Sequence, residues 1–234
     1  MQKSNLPIYW FGNMNAYMES KIKIITVGLN PSDKEFREKD TEPFCSNLRF
    51  PDFKGDCTSL LKALNRYFEY NPYSRWFDGG FEPILNGMDA SYYSKQKGKE
   101  KYANKAVHTD FCSPWATEPT WSKLSIAEKN NLLKEGIVLW MHLVKLLSPD
   151  IILFSLPHDL LKKVGIHPST DLCKFPLTKD GQNRSKPEII KRGIYDKSLT
   201  IFGTTVNNPY GLLGKVQKNE LGVEIIKFYN TIKP

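Results

Sequence analysis

Lys21-Ile22-Lys23-Ile24-Ile25-Thr26-Val27-Gly28-Leu29-Asn30-Pro31-Ser32 is a β-branched run that stops at a glycine and turns on an Asn-Pro pair. Residues 21–27 read as a strand. The same order returns near the other end of the chain. Leu199-Thr200-Ile201-Phe202-Gly203 is a second apolar run, and it leads into Asn207-Asn208-Pro209-Tyr210-Gly211-Leu212-Leu213-Gly214-Lys215. In an open α/β sheet, ligands bind outside the carboxyl ends of the strands. Two rigid polar turns at that edge predict one site built from both ends of the chain.

The stretch between them alternates strands and helices. Residues 106–112 form a weaker strand that stops at Ser113-Pro114, and residues 151–155 form a short buried strand. Ser125 and Glu128 make a capping box, which opens a long helix. Leu132, Leu133, Ile137, Trp140, Val144 and Leu147 recur there at helical spacing, and Pro149-Asp150 ends it. Helices are also expected over 59–67, 159–164 and 216–232. This alternation predicts an α/β fold: a three-layer αβα sandwich around a central, mostly parallel four-stranded sheet. The chain is read as one domain, residues 1–234, with an insertion or lid at about 52–105. No internal repeat is visible.

The insertion interleaves aromatics (Tyr70, Tyr73, Trp76, Phe77, Phe81, Tyr92, Tyr93) with lysines at 95, 97, 99, 101 and 105. Bases stack on rings and phosphates meet ammonium groups, so the pattern suits single-stranded nucleic acid. A solvated loop whose aromatics pack on the sheet edge is the plainer reading. The net charge of +8 favours a polyanionic partner. The four cysteines, at 45, 57, 112 and 173, form no C-x-x-C pair, so a closed metal site is not expected and buried, reduced thiols are. No secretory h-region is seen, and the longest apolar stretch, 136–147, is broken by His142 and Lys145. The expectation is therefore an intracellular protein with no membrane partner, acting as a monomer. His142 and His158 read as structural, the latter in a capping role beside Asp159.

Asn30 carries an amide, which cannot act as a strong base but can hold and aim a water. Pro31 stiffens its turn, and Gly28 lets backbone approach a ligand. Leu212 follows the second rigid turn as an apolar tip, of the kind that wedges into a base stack. Lys215 stands near the start of the last helix, where a phosphate fits.

These residues resemble the uracil-DNA glycosylase superfamily, with the pattern of its mismatch-specific uracil/thymine-DNA glycosylases. There the first motif reads G-I-N-P and the second N-P-S-G-L-S-R. Pro43-Phe44 and Asn47-Leu48-Arg49-Phe50 resemble the family's P-F…N-R-F segment, Glu118-Pro119-Thr120 its R-P-T, and Pro149-Asp150-Ile151 the approach to its third strand. The resemblance covers about residues 20–50 and 106–232. It implies a monofunctional DNA glycosylase that hydrolyses the N-glycosidic bond of a flipped-out uracil or other damaged base, as in base excision repair. It implies that Asn30 positions water and that Gly28, Leu29 and Asp110 line the base site. Phe44, or else Phe36, would stack on the base. Asn208, Pro209, Tyr210, Gly211 and Leu212 would enter the duplex, with Lys215 on a phosphate or the opposite strand. No cofactor or metal is implied, since the cysteines do not match the superfamily's iron–sulfur pattern.

Three departures qualify the match. Tyr210 replaces a serine, where it would crowd the minor groove or add a stacking surface. The insertion has no counterpart. Asp110 stands where many members read the pyrimidine with asparagine. An ionised Asp accepts the N3–H of uracil but repels O4, and would suit an exocyclic amine on cytosine or adenine; it could equally pair with a nearby Lys or Arg. Uracil is the default substrate. A catalytically inactive nucleic-acid-binding protein on the same fold is the alternative, and a small-molecule hydrolase using the same edge a further one.

Overall fold

In a computed structural model of the chain, residues 1–4, 6–37, 45, 48–94, 102–204 and 208–233 are described. The first half runs β1 (Gln2–Lys3), α1 (Met14–Met18), β2 (Ile24–Gly28), α2 (Cys57–Asn65), α3 (Ser74–Trp76), α4 (Glu82–Gly87), β3 (Ala90–Ser91), β4 (Asn104–Asp110) and β5 (Thr117–Glu118). The second half runs α5 (Ile126–Leu147), β6 (Ile151–Phe154), α6 (His158–Lys162), β7 (Thr170–Leu177), β8 (Asn183–Tyr195), β9 (Ser198–Phe202) and α7 (Lys215–Ile232).

The main sheet has the order β3-β4-β2-β6-β9-β8-β7. From β3 to β9 the strands are parallel, and β8 and β7 continue the sheet antiparallel. The four expected strands are its centre, but the sheet has seven strands rather than four. The additions are the kind that periodicity misses. β3 is two residues long. β7 and β8 contain Pro176, Pro187 and Gly193, and a proline is tolerated only at a sheet edge or a bulge. The β7–β8 ladder shifts register between Phe175 and Leu177, where Pro176 needs no ladder bond.

Side chains alternate across the sheet as a two-residue period requires. Ile24, Ile151, Leu153, Leu199 and Ile201 face one side, where Leu221 and Ile225 of α7 and Ile84 and Leu85 of α4 cover them. Ile25, Val27, Ile152 and Phe154 face the other, under Leu133, Trp140, Val144 and Leu147 of α5 and Tyr17 of α1. The result is a helix layer on each face of the sheet. The α5 cap forms as read: Glu128 Oε2 accepts the Ser125 N–H at 2.9 Å and the Ser125 hydroxyl accepts the Glu128 N–H at 3.3 Å.

The stretch read as an insertion is built into these layers. It supplies α2, α3, α4 and β3, and it buries Leu64, Tyr67, Phe68, Phe77, Phe81 and Tyr92 on the first face. Most of its aromatics thus pack on the sheet, the plainer of the two readings. Tyr70 remains exposed. Lys105 is buried and donates to the Tyr93 carbonyl at 2.6 Å, while the lysines at 95, 97, 99 and 101 lie outside the described residues. Among the described residues, no helix is long and apolar enough to cross a membrane.

Candidate active site

β2 and β4 end side by side, with Gly28 paired to Asp110 and Thr26 to His108. The loop after β2 stays bonded to the continuation of β4: Gly28 and Leu29 carbonyls accept the N–H groups of Phe111 and Cys112 at 2.9 and 2.7 Å. The Asn30 side chain is fixed by its own amide. Its Nδ2 donates to the Pro31 carbonyl at 2.9 Å and to Thr117 Oγ1 at 3.0 Å, which leaves Oδ1 as an acceptor. The chain then enters a 3₁₀ turn, Asp33–Phe36, capped by Ser32 Oγ accepting the Lys34 N–H at 3.2 Å. That turn carries Glu35 inward.

A cleft of about 620 Å³ opens at this edge. Leu29, Asn30, Glu35, His108 and Asp110 line it, and Phe11, Tyr73, Trp76, Phe77 and Trp121 supply an aromatic wall. Apolar walls with a few convergent polar groups are what a planar ligand requires. Gly28 makes the arrangement possible, since a Cβ there would stand 2.7 Å from Asp110 Oδ1 and 3.0 Å from His108 Nε2.

The polar groups of the cleft are unusual in their partners. The Asp110 side chain is 4% exposed, yet its carboxylate accepts no hydrogen bond among the described residues. The group nearest to pairing with it is His108 Nε2, at 3.7 Å. On its far side, His108 Nδ1 lies 2.7 Å from Thr26 Oγ1, which in turn hydrogen-bonds the Tyr92 hydroxyl. Glu35 is also buried, and burial pushes its carboxyl up to about 8. The Asp110 charge adds to that rise, while the Tyr67 hydroxyl and the Arg49 guanidinium oppose it.

Of the residues expected to form the site, Leu29, Asn30 and Asp110 line the cleft, with Gly28 directly behind Asp110. Phe44 and Asn207 lie outside the described residues. Phe36 is fully buried and stacks on Phe50 at 6.0 Å, so it faces the core. The described residues of the second loop, 208–215, do not line the cleft. Tyr210 is 1% exposed, with φ at 52°, its ring packed over Gly203 and its hydroxyl donating to the Ile201 carbonyl at 3.1 Å. It is therefore a core residue and offers no stacking surface to a ligand. Pro209 is buried, Asn208, Gly211 and Leu212 are half-buried, and Lys215 is exposed as the first residue of α7. Lys218 pins this loop to the aromatic segment by donating to the Gly79 carbonyl at 2.6 Å and the Pro209 carbonyl at 2.8 Å.

Sequence reasoning missed Glu35, His108, Phe11 and Trp121 as site residues, and named Tyr73, Trp76 and Phe77 as candidate rings for nucleic acid without placing them beside Asn30. His108 was within reach of it, because residues two apart on a strand share a face and Asp110 was already singled out. Glu35 carries no such signal, since its inward turn depends on the Ser32 cap. Among the described residues, no group of three or more His, Cys, Asp or Glu side chains is placed to hold a metal ion. The cysteines are free thiols; Cys45 and Cys57 are exposed, contrary to the expectation of mostly buried ones. Compared with family models, with curated proteins and with solved structures, the chain matches none.

Proposed function

We propose that the chain is a DNA glycosylase that hydrolyses the N-glycosidic bond of a base flipped into this cleft. One observation carries the proposal: a buried carboxylate, Asp110, is left without a hydrogen bond inside an aromatic-walled cleft at the strand ends. A buried acceptor of this kind is costly unless a ligand's N–H satisfies it. The half-buried Tyr73 and Trp76 offer rings for a planar base, and Asp110 accepts an N–H from its edge. Asn30, its NH₂ already engaged, turns Oδ1 to a water and aims it at the sugar carbon. The +8 charge and exposed Lys215 suit the phosphate backbone. Uracil is the first base to try.

The test is a panel of end-labelled oligonucleotides holding uracil, hypoxanthine, xanthine, thymine mismatches or alkylated bases, in single- and double-stranded form. Abasic sites are then cleaved with alkali. The expected result is release of one base, reduced about 100-fold or more in Asn30→Ala. Salt-sensitive binding with no release at any lesion refutes hydrolysis and supports a non-catalytic nucleic-acid binder.

A further inference from the structure

Two buried carboxyl groups line the same cleft, Asp110 from the end of β4 and Glu35 from the turn after β2. The hydrogen bonds around Glu35 assign where its proton sits. The Tyr73 backbone N–H donates to the Tyr67 hydroxyl oxygen at 2.9 Å, and the Tyr67 hydroxyl gives its own hydrogen to Glu35 Oε1. Oε1 is therefore the acceptor oxygen, and a proton on Glu35 belongs to Oε2. Oε2 has no hydrogen-bond partner among the described residues. The charged groups around it make no hydrogen bond to its carboxyl among the described residues. Arg49 spends its guanidinium on two backbone carbonyls, those of Glu35 and Asn71. His108 and Lys34 line the cleft, and neither hydrogen-bonds the Glu35 side chain.

From this geometry we infer that Glu35 is the acid of the reaction: its Oε2–H hydrogen-bonds the leaving base and passes the proton to it as the glycosidic bond breaks. The inference rests on the glycosylase function proposed above. Glu35 suits the role because its carboxyl, pushed up to about 8 by burial, holds its proton at neutral pH. Asp110 suits the complementary one, as the neighbour whose side-chain oxygen, free of any hydrogen bond among the described residues, accepts an N–H from the same base. A donor and an acceptor on two carboxyls thus do together what one side-chain amide does alone.

The step balances without another reactant. The water oxygen bonds to C1′, and the C1′–N bond breaks with its electron pair going to the base. Glu35 gives its proton to the base, which leaves neutral. The surplus proton of the water goes to solvent, and solvent reprotonates Glu35. A positioned acid of this kind contributes about 10²–10⁴-fold.

The test follows single-turnover release of uracil and of 5-fluorouracil, each opposite guanine in a duplex, in wild type, Glu35→Gln and Tyr67→Phe. The more acidic 5-fluorouracil needs a donated proton less. In wild type, release should fall about tenfold per pH unit above about pH 8. Glu35→Gln should slow uracil release by about 100-fold or more, spare 5-fluorouracil in large part, and abolish the alkaline fall, with duplex binding by anisotropy unchanged. Tyr67→Phe removes a hydrogen bond that favours the carboxylate, so it should move the alkaline fall to higher pH. An active wild type whose Glu35→Gln variant keeps the uracil rate, or loses both bases equally, overturns the acid role alone. A wild type that releases uracil and 5-fluorouracil at no measurable rate overturns this role, and one that releases no base from any lesion of the panel overturns the glycosylase function with it.

Discussion

Asp110→Asn separates a residue kept for a ligand from one kept for the fold. The substitution preserves shape and removes a buried charge that no hydrogen bond satisfies among the described residues. Leaving such an acceptor unpaired costs about 1–3 kcal/mol, and more when it is charged. The asparagine NH₂ can also reach toward His108 Nε2, which stands 3.7 Å from the present carboxylate oxygen. The variant without ligand should therefore be more stable, by about 2 kcal/mol. For a chain of this size that is a rise in Tm of about 4–8 °C. Differential scanning fluorimetry at neutral pH reads it directly. Removing the Asp110 charge also lowers the Glu35 carboxyl from about 8, so base release should begin its alkaline fall at lower pH. A lower Tm in Asp110→Asn would refute the reasoning, because it would mean that Asp110 holds a charged His108 as a structural ion pair.

Three further outcomes follow from named contacts. Gly28→Ala places a Cβ 2.7 Å from Asp110 Oδ1, so it should cost about 1–3 kcal/mol in urea unfolding and displace Asp110, lowering base release at least about tenfold. Tyr210→Phe removes the buried bond to the Ile201 carbonyl and should cost about 1 kcal/mol while leaving duplex affinity unchanged; a loss of affinity would restore Tyr210 to the nucleic-acid interface. Glu82 is buried, which pushes its carboxyl up from 4.5 to about 7. The folded state therefore holds this proton more tightly than the unfolded one. The stability linked to it is full below about pH 4.5 and is lost as pH rises through about 7, about 3 kcal/mol in all. Glu82→Gln should flatten that decline in Tm across the same range, and an undiminished decline would assign it to other groups.

The parts of the fold that the sequence made legible are those where one physical demand dominates. β2, β6 and β9 are buried on both faces, so each reads as a short run of mostly apolar, β-branched residues. α5 announces itself through its cap and its stripe. The rest was hidden by competing demands. β8 mixes Lys186, Pro187, Glu188, Lys191, Arg192 and Gly193, because most of it is exposed and its register shift needs no regular alternation. At the site, Asn30 was legible from its place after a strand, and Asp110 through the family resemblance alone. Tyr73, Trp76 and Phe77 were not, because their arrival opposite Asn30 depends on how α2, α3 and α4 pack on the sheet. Tyr210 misled for a related reason. A positive φ and a glycine at 203 let its ring fold back into the core, and no local pattern marks that turn.

The order of synthesis gives the central strand a further significance. Among the described residues, those that line the cleft lie between Phe11 and Ser122. β6 and β9, which complete the sheet on the other flank of β2, begin only at Ile151 and Ser198. At roughly 5–20 residues per second, a ribosome finishes the cleft residues several seconds before the last of those strands emerges. During that interval the apolar edge of β2 is open to pairing with any other strand in reach. A truncated gene product ending near Leu124 would hold the residues of the cleft and the β2–β4 pair, but neither of the strands that complete the sheet on the other flank of β2. Efficient production therefore depends on the growing chain being shielded until its final third is made.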